Sequence, residues 1–157
     1  MVSLNQNSLE LQKVRCLVRH EWVKATPEEI VRQKLLQKML EEWGYPHSLL
    51  LVEKALSQLP CIRNSQKLPR RRMDIVSYAK NSSNQLAPLI VIECKAACGT
   101  LAAANIRQLL GYNYHIGAPF VGIIGGDVQL QVFSATTSLQ ISEAPTYKEL
   151  KHKIAKK

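Results

Sequence analysis

The stretch PLIVIECKA, residues 88–96, decides how the rest of the chain is read. An apolar run from Pro88 to Ile92 ends in Glu93, Cys94 and Lys95. The run is apolar at odd and even positions alike, the pattern of a strand buried on both faces. Side chains alternate along a strand, so Glu93 and Lys95 share one face and Cys94 takes the other. A lone carboxylate at the end of such a strand is costly unless a cation or a donor meets it.

Asp74 lies nineteen positions upstream, at the mouth of a second apolar run, Met73 to Ala79. A strand there can lie beside the first and bring Asp74 next to Glu93. Two carboxylates and a lysine would then converge at the ends of neighbouring strands. Such a group suits a hard divalent cation and the activation of a water, which is the chemistry of phosphodiester cleavage. The Lys95 ammonium would orient that water or stabilise charge on the phosphorane. The plainer reading of Lys95 is an ion pair with Glu93 or Asp74, and that of Asp74 a salt bridge with Arg71 or Arg72.

Working outward, Thr26-Pro27-Glu28-Glu29 is a helix start. Thr26 caps, Pro27 fits the first turn, and the two acids suit the positive end of the dipole. Apolar residues at Ile30, Val31, Leu35, Leu36, Met39, Leu40 and Trp43 keep a helical period until Gly44-Tyr45-Pro46 ends it. By helical spacing Glu29 shares a side with Gln33 and Leu36, and Glu28 with Arg32. Within His47 to Leu59, the run Leu49 to Val52 predicts a first strand with Glu53 near its end, free to partner Lys54 or the basic loop that follows. Leu101 to Ile116 predicts a helix packed through Leu101, Ala104, Leu109 and Tyr112. Phe120–Ile124 and Val128–Phe133 predict two strands joined by a Gly125-Gly126-Asp127 turn, with Ser138–Ile141 as a short edge and Thr146–Ala155 as a closing amphipathic helix. Val14 to Val23 predicts one short strand or an extended arm. The fold class is therefore α/β, with a mixed central sheet of about five strands flanked by helices. Residues 1–25 form an N-terminal arm and 26–157 a single domain.

The net charge is +9, from 21 Lys and Arg against 12 Asp and Glu, which favours phosphate-bearing partners. Arg70, Arg71 and Arg72 stand directly before Asp74 and would meet backbone phosphates. Lys148, Lys151, Lys153, Lys156 and Lys157 form a second cluster, which reads equally as a solvated helix end. The four cysteines, Cys16, Cys61, Cys94 and Cys98, show no zinc-ligand spacing. His20, His47 and His115 read as surface or packing residues, and Trp22 and Trp43 as core or helix-end packing. No apolar run is long enough to span a membrane and no secretory signal is visible, so the expected location is cytoplasmic.

Seven stretches in order, TPEEIVRQ (26–33), WGYP (43–46), LLVEK (50–54), RRRMDIVSY (70–78), PLIVIECKA (88–96), QLLGYN (108–113) and PFVGII (119–124), resemble the PD-(D/E)XK nuclease superfamily. They resemble in particular the N-terminal domain of type I restriction enzyme R subunits. The resemblance implies a restriction-endonuclease-like core and a Mg2+-dependent endodeoxyribonuclease, with Mn2+ able to substitute. It implies metal ligation by Asp74, Glu93 and the backbone carbonyl of Cys94, with Lys95 catalytic. It also implies an auxiliary acid on the first helix, for which Glu29 is the candidate and Glu28 and Glu53 the alternatives. Gln108 and Tyr112 match a QxxxY element that positions the substrate backbone. Gly111 stands where the family pattern has a basic residue, and Gly125-Gly126 where an Asn-Gly step is common. The chain contains no GxxxxGK[ST] motif, so the expectation is a stand-alone protein or a remnant rather than a full motor enzyme. Expected partners are DNA, a restriction-modification or helicase protein, and a second copy in a homodimer, with no membrane. The alternative is a catalytically weak nucleic-acid-binding or partner-docking module with the same fold.

Overall fold

Each hydrophobic period along the chain becomes the element that suits it. The computed structural model describes residues 12–96, 103–126, 129–143 and 145–155. A short hairpin comes first, β1 at Lys13–Arg15 and β2 at Trp22–Lys24. Helix α1 follows at Pro27–Glu41. Then come β3 at Leu50–Ala55, β4 at Arg72–Lys80 and β5 at Leu86–Lys95. Helix α2 at Ala103–Ile116 leads to β6 at Phe120–Gly125, β7 at Gln131–Ser134, β8 at Gln140–Glu143 and helix α3 at Tyr147–Ala155.

Strands β3 to β8 lie in sequence order in one six-stranded sheet. Every neighbouring pair is antiparallel except β5 and β6. A parallel pair needs a crossover, and α2 supplies it. The sheet is buried on both sides. Val31, Leu35, Leu36 and Met39 of α1 and Leu150 of α3 pack on one face with Val52, Ile75, Ile90 and Ile92. Leu109 and Ile116 of α2 pack on the other with Val76, Val91, Val121 and Ile123. Strand β5 contributes to both clusters, as its unbroken apolar run requires.

Helix α1 starts as its sequence dictates: the Thr26 hydroxyl accepts the Glu29 amide at 3.1 Å. Gly44 ends it with φ +69°, a conformation that costs glycine little. Tyr45 then donates to the carbonyl of Pro145 at 3.1 Å and meets Tyr147 edge-on, which docks α3 beside the end of α1.

Several sequence expectations change. The sheet has six strands: the short edge expected at Ser138–Ile141 forms at Gln140–Glu143 and pairs with β7 across a register shift between Val132 and Phe133. Val14 to Val23 is not one strand: the chain reverses through Leu17–Arg19, with His20 at φ 58°, and pairs with itself. Strand β7 begins at Gln131, later than Val128, so the link after Gly126 is longer than a tight hairpin. Asp127 and Val128 lie outside the described residues, as do Leu101, Cys98, Lys156, Lys157 and the first eleven positions. Ala104, expected in the core, is exposed on the solvent side of α2. No helix among the described residues is long and apolar enough to cross a membrane.

Leu36 is fully buried between α1 and the sheet. Leu36→Ala should therefore cost about 2–5 kcal/mol, read as a lowered urea midpoint with an unchanged slope.

Candidate active site

Asp74, near the start of β4, is set by a break in strand alternation. Met73 packs on the α2 side of the sheet, whereas Ile75, two residues on, packs on the α1 side. Regular alternation would put both on one face. Facing Asp74 across the ladder is Glu53, which has a φ of 53°, while Val52 pairs with Ile75 and Lys54 with Met73 on either side. This irregularity presents Asp74 to α1.

Arg32 meets it there. One guanidinium nitrogen, Nη2, donates to Asp74 Oδ1 at 2.7 Å and forms an ion pair with Glu53 Oε1 at 2.5 Å. The other, Nη1, donates to Glu29 Oε2 at 2.5 Å. The second oxygen of Glu29 accepts from Gln33 Nε2 at 2.7 Å. Arg32 is only 4% exposed, and burial alone would lower its pKa. The charges of Asp74, Glu29 and Glu53 outweigh that and hold it above its ordinary value. Three carboxylates share this single cation, so negative charge is in excess. The excess shows at Glu53: burial raises its pKa, the charge of Asp74 adds to the rise, and Arg32 does not fully offset them.

Glu93 lies at the end of β5 and is 4% exposed. Its Oε1 accepts from Lys95 Nζ at 2.9 Å and from Arg71 Nη2 at 2.6 Å. Arg71 in turn lies over the Tyr112 ring, 5.5 Å from its centre. The other carboxylate oxygen of Glu93, Oε2, is buried with no hydrogen-bond partner. Cys94 joins the two acids. Its amide donates to Asp74 Oδ2 at 2.7 Å, so the Asp74 carboxylate rests against the peptide that follows Glu93. Burial, and then the charge of Asp74, push the Cys94 thiol well above its usual range, so it stays neutral.

Glu93 and Lys95 are in direct contact, whereas Asp74 meets them only through the Cys94 amide. Asp74 faces Arg32 on the α1 side, and Glu93, alternating with the α1-side Cys94, faces Arg71 and Tyr112 on the α2 side, so the side chains of the two acids do not converge as expected. Glu29, and not Glu28, faces inward; Glu28 is exposed, and Arg32 pairs with Glu29 instead. Glu53 partners neither Lys54 nor the basic loop but Arg32, and Asp74 takes Arg32 rather than Arg71 or Arg72. Of the arginine run, Arg70 and Arg72 are exposed, while Arg71 is engaged by Glu93. Tyr112 reaches the site through Arg71; Gln108 stands exposed one turn earlier. Arg32 was not among the sequence candidates. Its signal was the Glu29, Arg32, Gln33 spacing, three and four residues apart on one helix.

Among the described residues no group of three or more His, Cys, Asp or Glu side chains forms a ready metal cage. Two carboxylates and a backbone carbonyl do not need one. The orphaned Glu93 Oε2 is the observation that fits a hard cation, which would give that oxygen a partner.

The geometry defines a mixed α/β domain with an open six-stranded sheet, carrying buried, arginine-paired acids and a lysine on neighbouring strands. The sequence model for the type I restriction enzyme R protein N terminus matches residues 27–150, and the chain belongs to that family. No curated protein and no solved structure matches it.

Two outcomes follow from the buried charges. Removing Arg32 leaves three carboxylates without their cation, so Arg32→Met should cost about 3–5 kcal/mol in urea unfolding. Glu53 binds its proton more tightly in the folded than in the unfolded state, so protonation favours the fold. Wild type should therefore gain stability relative to Glu53→Gln as pH falls from the raised pKa toward the ordinary 4.5, and gain no more below it.

Proposed function

We propose that this domain hydrolyses phosphodiester bonds in DNA with the help of Mg2+ or Mn2+, on a PD-(D/E)XK, restriction-endonuclease-like core. The observation that carries the reading is the pairing of Lys95 with a buried Glu93 whose second oxygen is unpartnered, beside a buried Asp74 on the next strand. Asp74, Glu93 and the Cys94 carbonyl are the groups that would hold the cation. When bound, it would supply a concentrated positive charge at the scissile phosphate.

The remaining residues have separate tasks. Lys95 carries three donors on a flexible stem and is only partly exposed, so its ammonium can orient a water and offset charge growing on phosphate oxygens. Glu29 does not reach the reacting atoms in this arrangement. It acts through Arg32, whose other nitrogen fixes the Asp74 carboxylate. Arg71, half-exposed over Tyr112, can exchange Glu93 for a phosphate; Arg70 and Arg72 add sequence-independent attraction. Membership of the R protein N-terminal family supports a restriction-modification setting, with DNA or other subunits as partners.

One observation favours a second reading. Each acid already has an arginine, Arg32 on Asp74 and Arg71 on Glu93. If those pairs persist in the presence of Mg2+, the domain binds DNA or a partner without cutting it.

Nicking of supercoiled plasmid separates the two. The expected result is cleavage with Mg2+, none with EDTA, and a loss of about 100-fold or more in Lys95→Ala. Retention of DNA with no nicking at saturating Mg2+ would leave the binding module standing and remove the hydrolase.

A further inference from the structure

The β1–β2 hairpin lies outside the catalytic reading, yet its surface is unusual. Alternation turns Val14 and Val23 inward, where both are half-buried, and turns Lys13, Arg15, Trp22 and Lys24 outward, where all four are exposed. The register sets Lys13 opposite Lys24 and Arg15 opposite Trp22. Like charges directly across a strand pair are destabilising unless something anionic lies over them. Trp22, expected in the core, is instead 67% exposed. The hairpin's one acid, Glu21, is already paired with Arg19 at 2.8 Å. Lys13, Arg15 and Lys24 have no ion pair among the described residues.

The platform is firmly held. Cys16 is buried in the α1-side core, and the Leu17 amide donates to Gln33 Oε1 at 2.9 Å. The same Gln33 donates its amide nitrogen to Glu29. At the base, the Ala25 amide donates to the Gln12 carbonyl at 2.7 Å, directly before the Thr26 cap of α1. The Lys13–Lys24 end of the hairpin thus adjoins the first turn of the helix that carries Glu29 and Arg32.

We propose that this outer face is a binding site for single-stranded DNA, with a base stacked on Trp22 and backbone phosphates on Lys13, Arg15 and Lys24. An exposed indole offers a π-face to a base, which duplex DNA keeps stacked inside, and the three cations follow the strand's phosphates. A purely apolar partner would leave those cations unmatched. This goes beyond the cleavage reading and stands without it, because binding needs no metal and no reaction.

The test uses the full chain in EDTA, so cleavage plays no part. Trp43→Phe leaves Trp22 as the sole tryptophan, since the chain has two. Its fluorescence should be quenched on titration with oligothymidylate. Anisotropy of a dye-labelled oligothymidylate, with Trp43 left in place, should show Trp22→Ala weakening Kd by roughly 5- to 100-fold. Replacing Lys13, Arg15 and Lys24 together by Gln should reduce the salt slope of log K by about 2. The proposal is overturned if Trp22→Ala binds as wild type does. It is equally overturned if Trp22→Ala weakens the binding of duplex DNA as much as that of oligothymidylate, or if oligouridylate binds more tightly than oligothymidylate. Because Trp22 is exposed, its replacement should leave thermal unfolding unchanged, which separates lost binding from lost folding.

Discussion

The Arg32 guanidinium is the interaction on which the strand-end site depends. It pairs with Glu29, Glu53 and Asp74, which belong to a helix and two strands. Buried carboxylates without a cation would force their pKa values upward or pull water into the core. Arg32 makes burial of Asp74 tolerable and ties α1 to the open ends of β3 and β4. The pairing is incomplete, since one positive charge serves three negative ones; burial first, and then the charge of Asp74, raise the Glu53 pKa against the pull of Arg32.

Glu93 is arranged by different means. Arg71 and Lys95 both approach the same oxygen, Oε1, and leave Oε2 buried without a partner. An unsatisfied buried acceptor costs free energy, and a bound water, an ion or a catalytic role are the usual ways such a group is accounted for. The Cys94 amide links the two acids through the backbone rather than through a side chain, so the spacing between them is held by the sheet itself. Strand geometry is stiff, and a metal or phosphate site gains precision from resting on it.

Helix α1 connects this site to the rest of the molecule. Its buried face anchors the sheet through Leu35, Leu36 and Met39, while its first two turns carry Glu29, Arg32 and Gln33. Gln33 faces both ways, toward Glu29 and toward the Leu17 amide of the hairpin. The basic outer face of that hairpin and the acidic strand ends are therefore positioned by one rigid element. The match to the R protein N terminus covers the acidic strand ends, while the hairpin precedes the matched residues.

The local pattern was readable without coordinates. Periods of two and of about three and a half residues located the strands and helices, Thr26 marked the start of α1, and alternation put Glu93 beside Lys95. These follow from neighbours a few residues apart. Which cation each acid meets did not. Asp74 and Arg32 are 42 residues apart, and Glu93 and Arg71 are 22 apart; their contacts arise only when helix, strand and loop pack together. Likewise nothing in the spacing of Trp22 distinguished a core residue from an exposed one, because the hairpin that turns it outward depends on where the chain reverses. Periodicity is a property of the chain's own geometry, whereas charge pairing and exposure depend on distances between elements, which packing alone decides.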